Sequence, residues 1–131
     1  MAFRDLLGAA TFVDEETSVL HGVFDKSKST GHDLLVFNTL KEAPGHRIAV
    51  NLLTRPSLCA ALSIEPGDFI DLLGWAMTNP GEPKVVTTGP VLENIQSEPD
   101  LYKLPIPHHW REDRGRYMSS SVIIAEYDGI R

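Results

Sequence analysis

The sequence has one cysteine in 131 residues, Cys59, so an intramolecular disulfide and any multi-thiolate metal site are excluded. Basic residues are outnumbered, with 12 Lys and Arg against 18 Asp and Glu, for a net charge of -6. A nucleic-acid partner wants a basic face, and so does an anionic membrane surface, so neither is expected. No apolar run approaches the roughly 20 residues that span a bilayer. The opening "MAFRDLLGAATFVDEE" carries acids early and has no basic stretch before a long apolar core, so it reads as mature protein in a cytoplasmic setting. There is no internal repeat, no low-complexity tract, no Gly-x-Gly-x-x-Gly and no phosphate loop. Gly-x-Ser-x-Gly is missing as well, which argues against a serine nucleophile.

What is present is an ordinary globular composition, 42% hydrophobic and 23% charged, enough for one domain with a real core. Residues 3–10 predict a short helix. "DEETSVLHGVFDKS", residues 14–27, predicts a second, with Leu20, Val23 and Phe24 on one face and acids in the first turn. "LLVFN" (34–38) and "RIAVNLL" (47–53) read as buried strands, with Pro44 and Gly45 between them. Thr54 can cap a helix whose first turn accepts Pro56. "EPGDFIDLLGWAMTNP" gives the clearest helix, with Phe69, Leu72, Leu73 and Ala76 as its apolar stripe and Asn79-Pro80-Gly81 as its stop. Beyond residue 82 the chain turns β-like and proline-rich. "KVVTTGPVLENI" and "SSSVIIAEY" read as strands. The fold class is therefore α/β (α+β), an N-terminal α/β domain with a mixed sheet over residues 1–100 and the start of something β over 101–131.

Chemistry-bearing residues are scattered. His108 and His109 are poor joint metal ligands, because neighbours in an extended segment point to opposite faces. One of them is expected to pack on Trp110 and the other to face water. Ser119, Ser120 and Ser121 fit hydroxyls beside a ligand phosphate or ring, and equally a half-buried strand face. "REDRGR" reads as a solvated loop whose Gly115 permits close backbone approach. Glu93, Asn94 and Asn51 suit a polar cleft, though Asn51 could equally satisfy backbone at a strand end. Cys59 lies on an apolar helix face and reads as core. No complete catalytic constellation emerges from these residues.

The stretch "LPIPHHWREDRGRYMSSSVII" resembles the signature of UbiD-type (3-octaprenyl-4-hydroxybenzoate carboxy-lyase-like) decarboxylases. The likeness runs through Leu104-Pro105-Ile106-Pro107, His109-Trp110, the turn Asp113 to Gly115, Arg116-Tyr117 and Met118-Ser119-Ser120-Ser121. Upstream, "DLLVFNTLKEAPGHRIAVNLLTRPSLCAALSIEP" and "TTGPVLENI" fall in the family's order, so the resemblance spans about residues 33–127. It implies a non-oxidative (de)carboxylase for an aromatic or α,β-unsaturated carboxylic acid. It also implies prenylated FMN, a divalent metal (Mn or Mg) and K, and a split β-barrel holding the flavin after the N-terminal α/β domain. Residues 101–131 would be the linker and first strand or strands of that barrel. Ser119 matches a flavin-side threonine, while His109, Trp110 and Arg116 match the motif and shape the approach to the barrel. The family's catalytic arginine, its glutamates and its metal ligands are expected beyond Arg131. Catalytic and metal residues are thus expected to be none within this chain, and the chain alone is expected to be inactive and to bind no cofactor. The parent is expected to be a homo-oligomer. The alternatives are a non-catalytic UbiD-like subunit working with a separate catalytic chain, and a generic flavin or small-ligand module.

Overall fold

The computed structural model describes residues 3–31, 33–82, 84–93, 95–119 and 128. Its centre is a three-stranded sheet in the order β1 (Thr11–Val13), β2 (Leu35–Phe37), β3 (Ile48–Val50). β1 runs parallel to β2, with Thr11 opposite Leu35 and Val13 opposite Phe37. β3 returns antiparallel, with Leu35 opposite Val50 and Phe37 opposite Ile48. All three β2 residues are buried, which is why the middle strand reads as an unbroken apolar run rather than an alternation. The predicted mixed α/β architecture is therefore present.

One face of the sheet carries the core of Val13, Val19, Val23, Leu35, Phe37, Leu40 and Ala43, with Ile48 and Val50 packed against it. α1 (Gly22–Ser29) supplies Val23 to this core. The predicted helix over 14–27 is thus only half correct. Residues 11–13 form an unpredicted strand, and 14–21 are a loop held from across the chain. Asn38 donates to the Asp14 carboxylate at 2.7 Å. Thr17 and Leu40 form an isolated bridge. The Glu42 carboxylate accepts from Ser18 Oγ at 2.7 Å and from Val19 N at 2.8 Å. These bonds satisfy the backbone in a way that competes with helix, and they deliver Val19 to the core.

β3 stops at Val50 rather than Leu53. Asn51 takes a left-handed backbone, φ 60°, which Asn tolerates better than most residues. Its amide donates to Asp33 O at 2.9 Å and to Ser27 Oγ at 3.2 Å, tying the strand end to α1. α2 (Arg55–Leu62) follows, as predicted. Thr54 Oγ1 accepts from Ser57 N, while Ser57 Oγ accepts from Thr54 N at 2.9 Å, a reciprocal cap with proline in the first turn. Cys59 is buried, as expected of a core position.

The third predicted helix begins as a 3-10 turn, Pro66–Asp68, and continues as α3 (Phe69–Thr78). Its expected stripe is not buried. Phe69 and Leu72 are half-buried, and Ile70, Leu73, Trp75 and Met77 are exposed. The short N-terminal helix is a 3-10 helix, Phe3–Ala9. The strand predicted over 84–95 does not form among the described residues. Pro90–Leu92 is a 3-10 turn, and Val85 is 88% exposed. Pro90 cannot donate to a ladder, and among the described residues none of β1, β2 and β3 pairs with this stretch. Of the last predicted strand, Ser119 is not in a strand, and 120–127 lie outside the described residues.

Candidate functional site

The sheet end at Asn51, the turn to Thr54, α1 and the segment 107–119 enclose a cleft of about 610 Å³. That volume is within the usual range for small-molecule sites. Apolar walls come from Val50, Leu52 and Leu53 on one side and from Pro107 and Met118 on the other. Hydroxyls of Ser27, Thr54 and Ser119 edge it. Ser119, singled out from the sequence, does line the cleft, and so do His109 and Asn51. The Asn51 amide is already committed to Asp33 and Ser27, so both readings of it hold in part.

Segment 107–119 is positioned by backbone exchange with the loop before α1. His108 N donates to Val19 O and His21 N donates to His108 O, each at 2.9 Å. Tyr117 N returns to Pro107 O at 3.3 Å, and Trp110 N donates to the Asp113 carboxylate at 3.0 Å. "REDRGR" is thus a closed turn. An ideal Cβ on Gly115 meets nothing within 4 Å, so the expectation of close backbone approach there is not met.

Rings line the inner side of this segment. His109 lies 4.6 Å from Tyr117 and 6.1 Å from Phe24, and Phe24 lies 4.5 Å from Trp110. Lys28 Nζ sits 5.3 Å from the Trp110 ring centroid. His108 instead stacks on His21 at 4.6 Å. The expectation that one histidine packs on Trp110 and the other faces water is therefore corrected, because both are half-buried against other rings. Among the described residues, His109 Nδ1 is the buried side-chain nitrogen left without a hydrogen-bond partner. Desolvation, then the charge and hydrogen bond of Asp113, push the Tyr117 phenol above its ordinary pKa, so it stays a donor at neutral pH.

Trp110 stands one layer behind the cleft, and Arg116 is exposed and not among its lining residues. Glu93 lines a separate hollow with Thr88 and Pro90, sharing no residue with this cleft. Asn94, Ser120 and Ser121 lie outside the described residues. Sequence reasoning missed His21 and the cleft role of Phe24, whose partners are more than 80 positions away.

The apolar walls and edging hydroxyls fit a planar, conjugated ring such as a flavin's. None of the described lining residues is Lys or Arg, so these residues supply no cation for a flavin phosphate. Nor do they fit a metal: among the described residues no group of three His, Cys, Asp or Glu is placed to hold one. No helix among the described residues is long and apolar enough to cross a membrane.

Residues 84–129 match the UbiD family model described as the 3-octaprenyl-4-hydroxybenzoate carboxy-lyase Rift-related domain. The anhydromevalonate phosphate decarboxylase of Methanosarcina mazei is 28% identical over 137 residues, covering 99% of this chain and 31% of that protein. Its counterpart from Methanothermobacter thermautotrophicus is 27% identical over 94% of this chain and 29% of that protein. An uncharacterised protein encoded in the cooM 5′ region of Rhodospirillum rubrum is 51% identical over 47 residues, 36% of this chain and 10% of that protein. Among solved structures, an evolved dimeric form of the UbiD-class enzyme HmfF from Pelotomaculum thermopropionicum, in complex with prFMN, matches at TM-score 0.76 and 26% identity. That match covers 87% of this chain and 29% of HmfF, and an FMN complex of HmfF matches equally at TM-score 0.76. The chain thus spans about a third of the length of the relatives it matches and is similar to the N-terminal portion of UbiD-class enzymes.

Proposed function

We propose that the chain is the N-terminal part of a UbiD-like non-oxidative (de)carboxylase acting on an aromatic or α,β-unsaturated carboxylic acid, with prenylated FMN as cofactor. One observation carries this. Tyr117, Met118 and Ser119, which belong to the segment matching the UbiD model, form a wall of the cleft. In this reading residues 1–100 are the α/β part, and 101–131 lead into a split β-barrel in a cytoplasmic homo-oligomer.

When bound, the cofactor supplies an electron sink for the carbon losing CO2. This chain's own part is positional. The walls at Val50, Leu52, Pro107 and Met118 exclude water from a conjugated ring, and low local dielectric strengthens polar contacts there. Ser119 Oγ offers a donor and an acceptor at the rim. The His109–Tyr117 stack backs that wall. Arginine, glutamate and metal ligands are left to polypeptide outside residues 1–131, so the isolated chain is expected to be inactive.

The polypeptide that the gene encodes would be purified from cells that make prenylated FMN and tested for CO2 release on a panel of acids. Anhydromevalonate phosphate is the first to assay, since relatives at 28% and 27% identity carry its name. Flavin retention with CO2 release from one of these acids is expected. A protein that holds no flavin and releases no CO2 contradicts the proposal. The exposed apolar surface of α3 favours one alternative, a non-catalytic UbiD-like subunit docked on a separate catalytic chain. Co-purification of such a chain with the encoded polypeptide would distinguish the two.

A further inference from the structure

His109 lines the cleft, and its two ring nitrogens stand in different surroundings. The ring is held from several sides. Just before it, His108 N donates to Val19 O and His21 N donates to His108 O, each at 2.9 Å. The imidazole lies against Tyr117 with 4.6 Å between ring centroids, and Phe24 meets it edge-on at 6.1 Å. Nδ1 is buried and, among the described residues, has no hydrogen-bond partner. No hydrogen bond among the described residues engages Nε2 either, so Nε2 is the nitrogen left to serve the cleft that the ring lines. A neutral imidazole has one N–H and one bare nitrogen. An N–H shut away without an acceptor is rare in folded proteins, because it gives up water's hydrogen bond and gains none. The tautomer that avoids this carries its proton on Nε2. His109 then offers the cleft a donor.

Other polar groups of the cleft are already engaged. Ser27 Oγ accepts from the Asn51 amide at 3.2 Å, and Thr54 Oγ1 is shared with Ser57 in the α2 cap. None of the described lining residues is Lys or Arg. A carboxylate or phosphate drawn between these apolar walls would lose its water without gaining a countercharge. A neutral carbonyl oxygen on a flat conjugated ring escapes that cost and still accepts from an N–H. We infer that His109 is a specificity-determining residue of the cleft, whose Nε2–H donates to a carbonyl oxygen on the edge of the flavin ring. This rests on the reading of the cleft as the flavin site. Tyr117 and Phe24 hold the imidazole in place for that bond. The bond favours ring ligands with an acceptor at this edge over purely apolar ones of the same shape.

The encoded polypeptide, stripped of flavin, is titrated with FMN, the flavin held in one of the HmfF complexes. His109→Phe keeps a ring for the stack and removes the donor. FMN affinity is expected to fall about two- to tenfold, the effect of one neutral hydrogen bond. The infrared carbonyl stretch of bound FMN is expected to rise, because a carbonyl freed of its donor is stiffer. His109→Gln supplies an amide donor and is expected to restore part of the affinity and to lower the stretch again. Met77→Ser, outside the cleft, should match the parent in both readouts. In the flavin-free protein, nitrogen NMR of isotope-labelled histidine reads the tautomer directly, and the signal lost in His109→Gln identifies the residue. Nε2 is expected to carry the proton and Nδ1 to be bare. A proton on Nδ1 overturns the inference without any flavin, so the test holds even where His109→Phe fails to fold. FMN bound equally well by His109→Phe, with an unmoved carbonyl stretch, overturns this inference alone and leaves the decarboxylase reading in place. A parent that binds no FMN overturns both.

Discussion

The stretch 13–43 and the stretch 62–118 are both rich in large apolar side chains, yet the first buries them and the second does not. Among the described residues, eight of the nine buried hydrophobic residues fall in 13–43, around β2 and α1, and the ninth is Cys59. Of the eighteen large hydrophobics left exposed among the described residues, fifteen fall in 62–118. α3 shows the contrast most sharply, as it carries Phe69, Ile70, Leu72, Leu73, Trp75 and Met77 yet contains no buried residue. So many exposed apolar side chains on one helix mark a surface suited to contact with another polypeptide. Local sequence is enough to make a helix, but burial needs a partner surface, which 13–43 finds among the described residues and 62–118 does not.

Substitutions should separate the two regions in order of effect. Phe37→Ala empties the centre of the core and is expected to cost about 3–5 kcal/mol of unfolding free energy, read by denaturant titration. Thr54→Ala removes the α2 cap and is expected to cost about 1 kcal/mol by the same measurement. Glu42→Gln should matter through pH. Desolvation raises the Glu42 pKa, but hydrogen bonds from Ser18 and Val19 outweigh it and hold the carboxyl below its ordinary value. A lowered folded pKa contributes stability that is present above the unfolded value and lost as pH falls through the folded one. The parent should therefore lose stability on acidification below about pH 4, near the unfolded carboxyl pKa. Glu42→Gln should show less of that loss in melts at stepped pH. Met77→Ser, at a side chain 84% exposed, should change stability by less than about 0.5 kcal/mol. A large loss at Met77 would break the contrast by showing that α3 is already packed.

Legibility followed the same division. β2 was readable because three consecutive apolar residues are enough to mark a strand covered on both faces. Thr54 and Pro56 announced α2 because capping is a matter of neighbours three positions apart. Residues 14–21 misled because their partners, Asn38, Leu40 and Glu42, lie more than 20 positions away. Residues 84–93 misled because β-rich composition alone makes no strand, and among the described residues no ladder joins them. Of the residues singled out through the family motif, Ser119 and His109 line the cleft, whereas Trp110 and Arg116 do not. The His21–His108 contact had no local signal at all.

The most direct test of the cleft as the UbiD-like site is the flavin content of the encoded polypeptide, made in cells that produce prenylated FMN, with a cleft-filling change set against one on α3. Ser119→Trp should leave the purified protein with little flavin absorbance, while Met77→Ser keeps the parent's content. Full flavin in Ser119→Trp would contradict the assignment of this cleft.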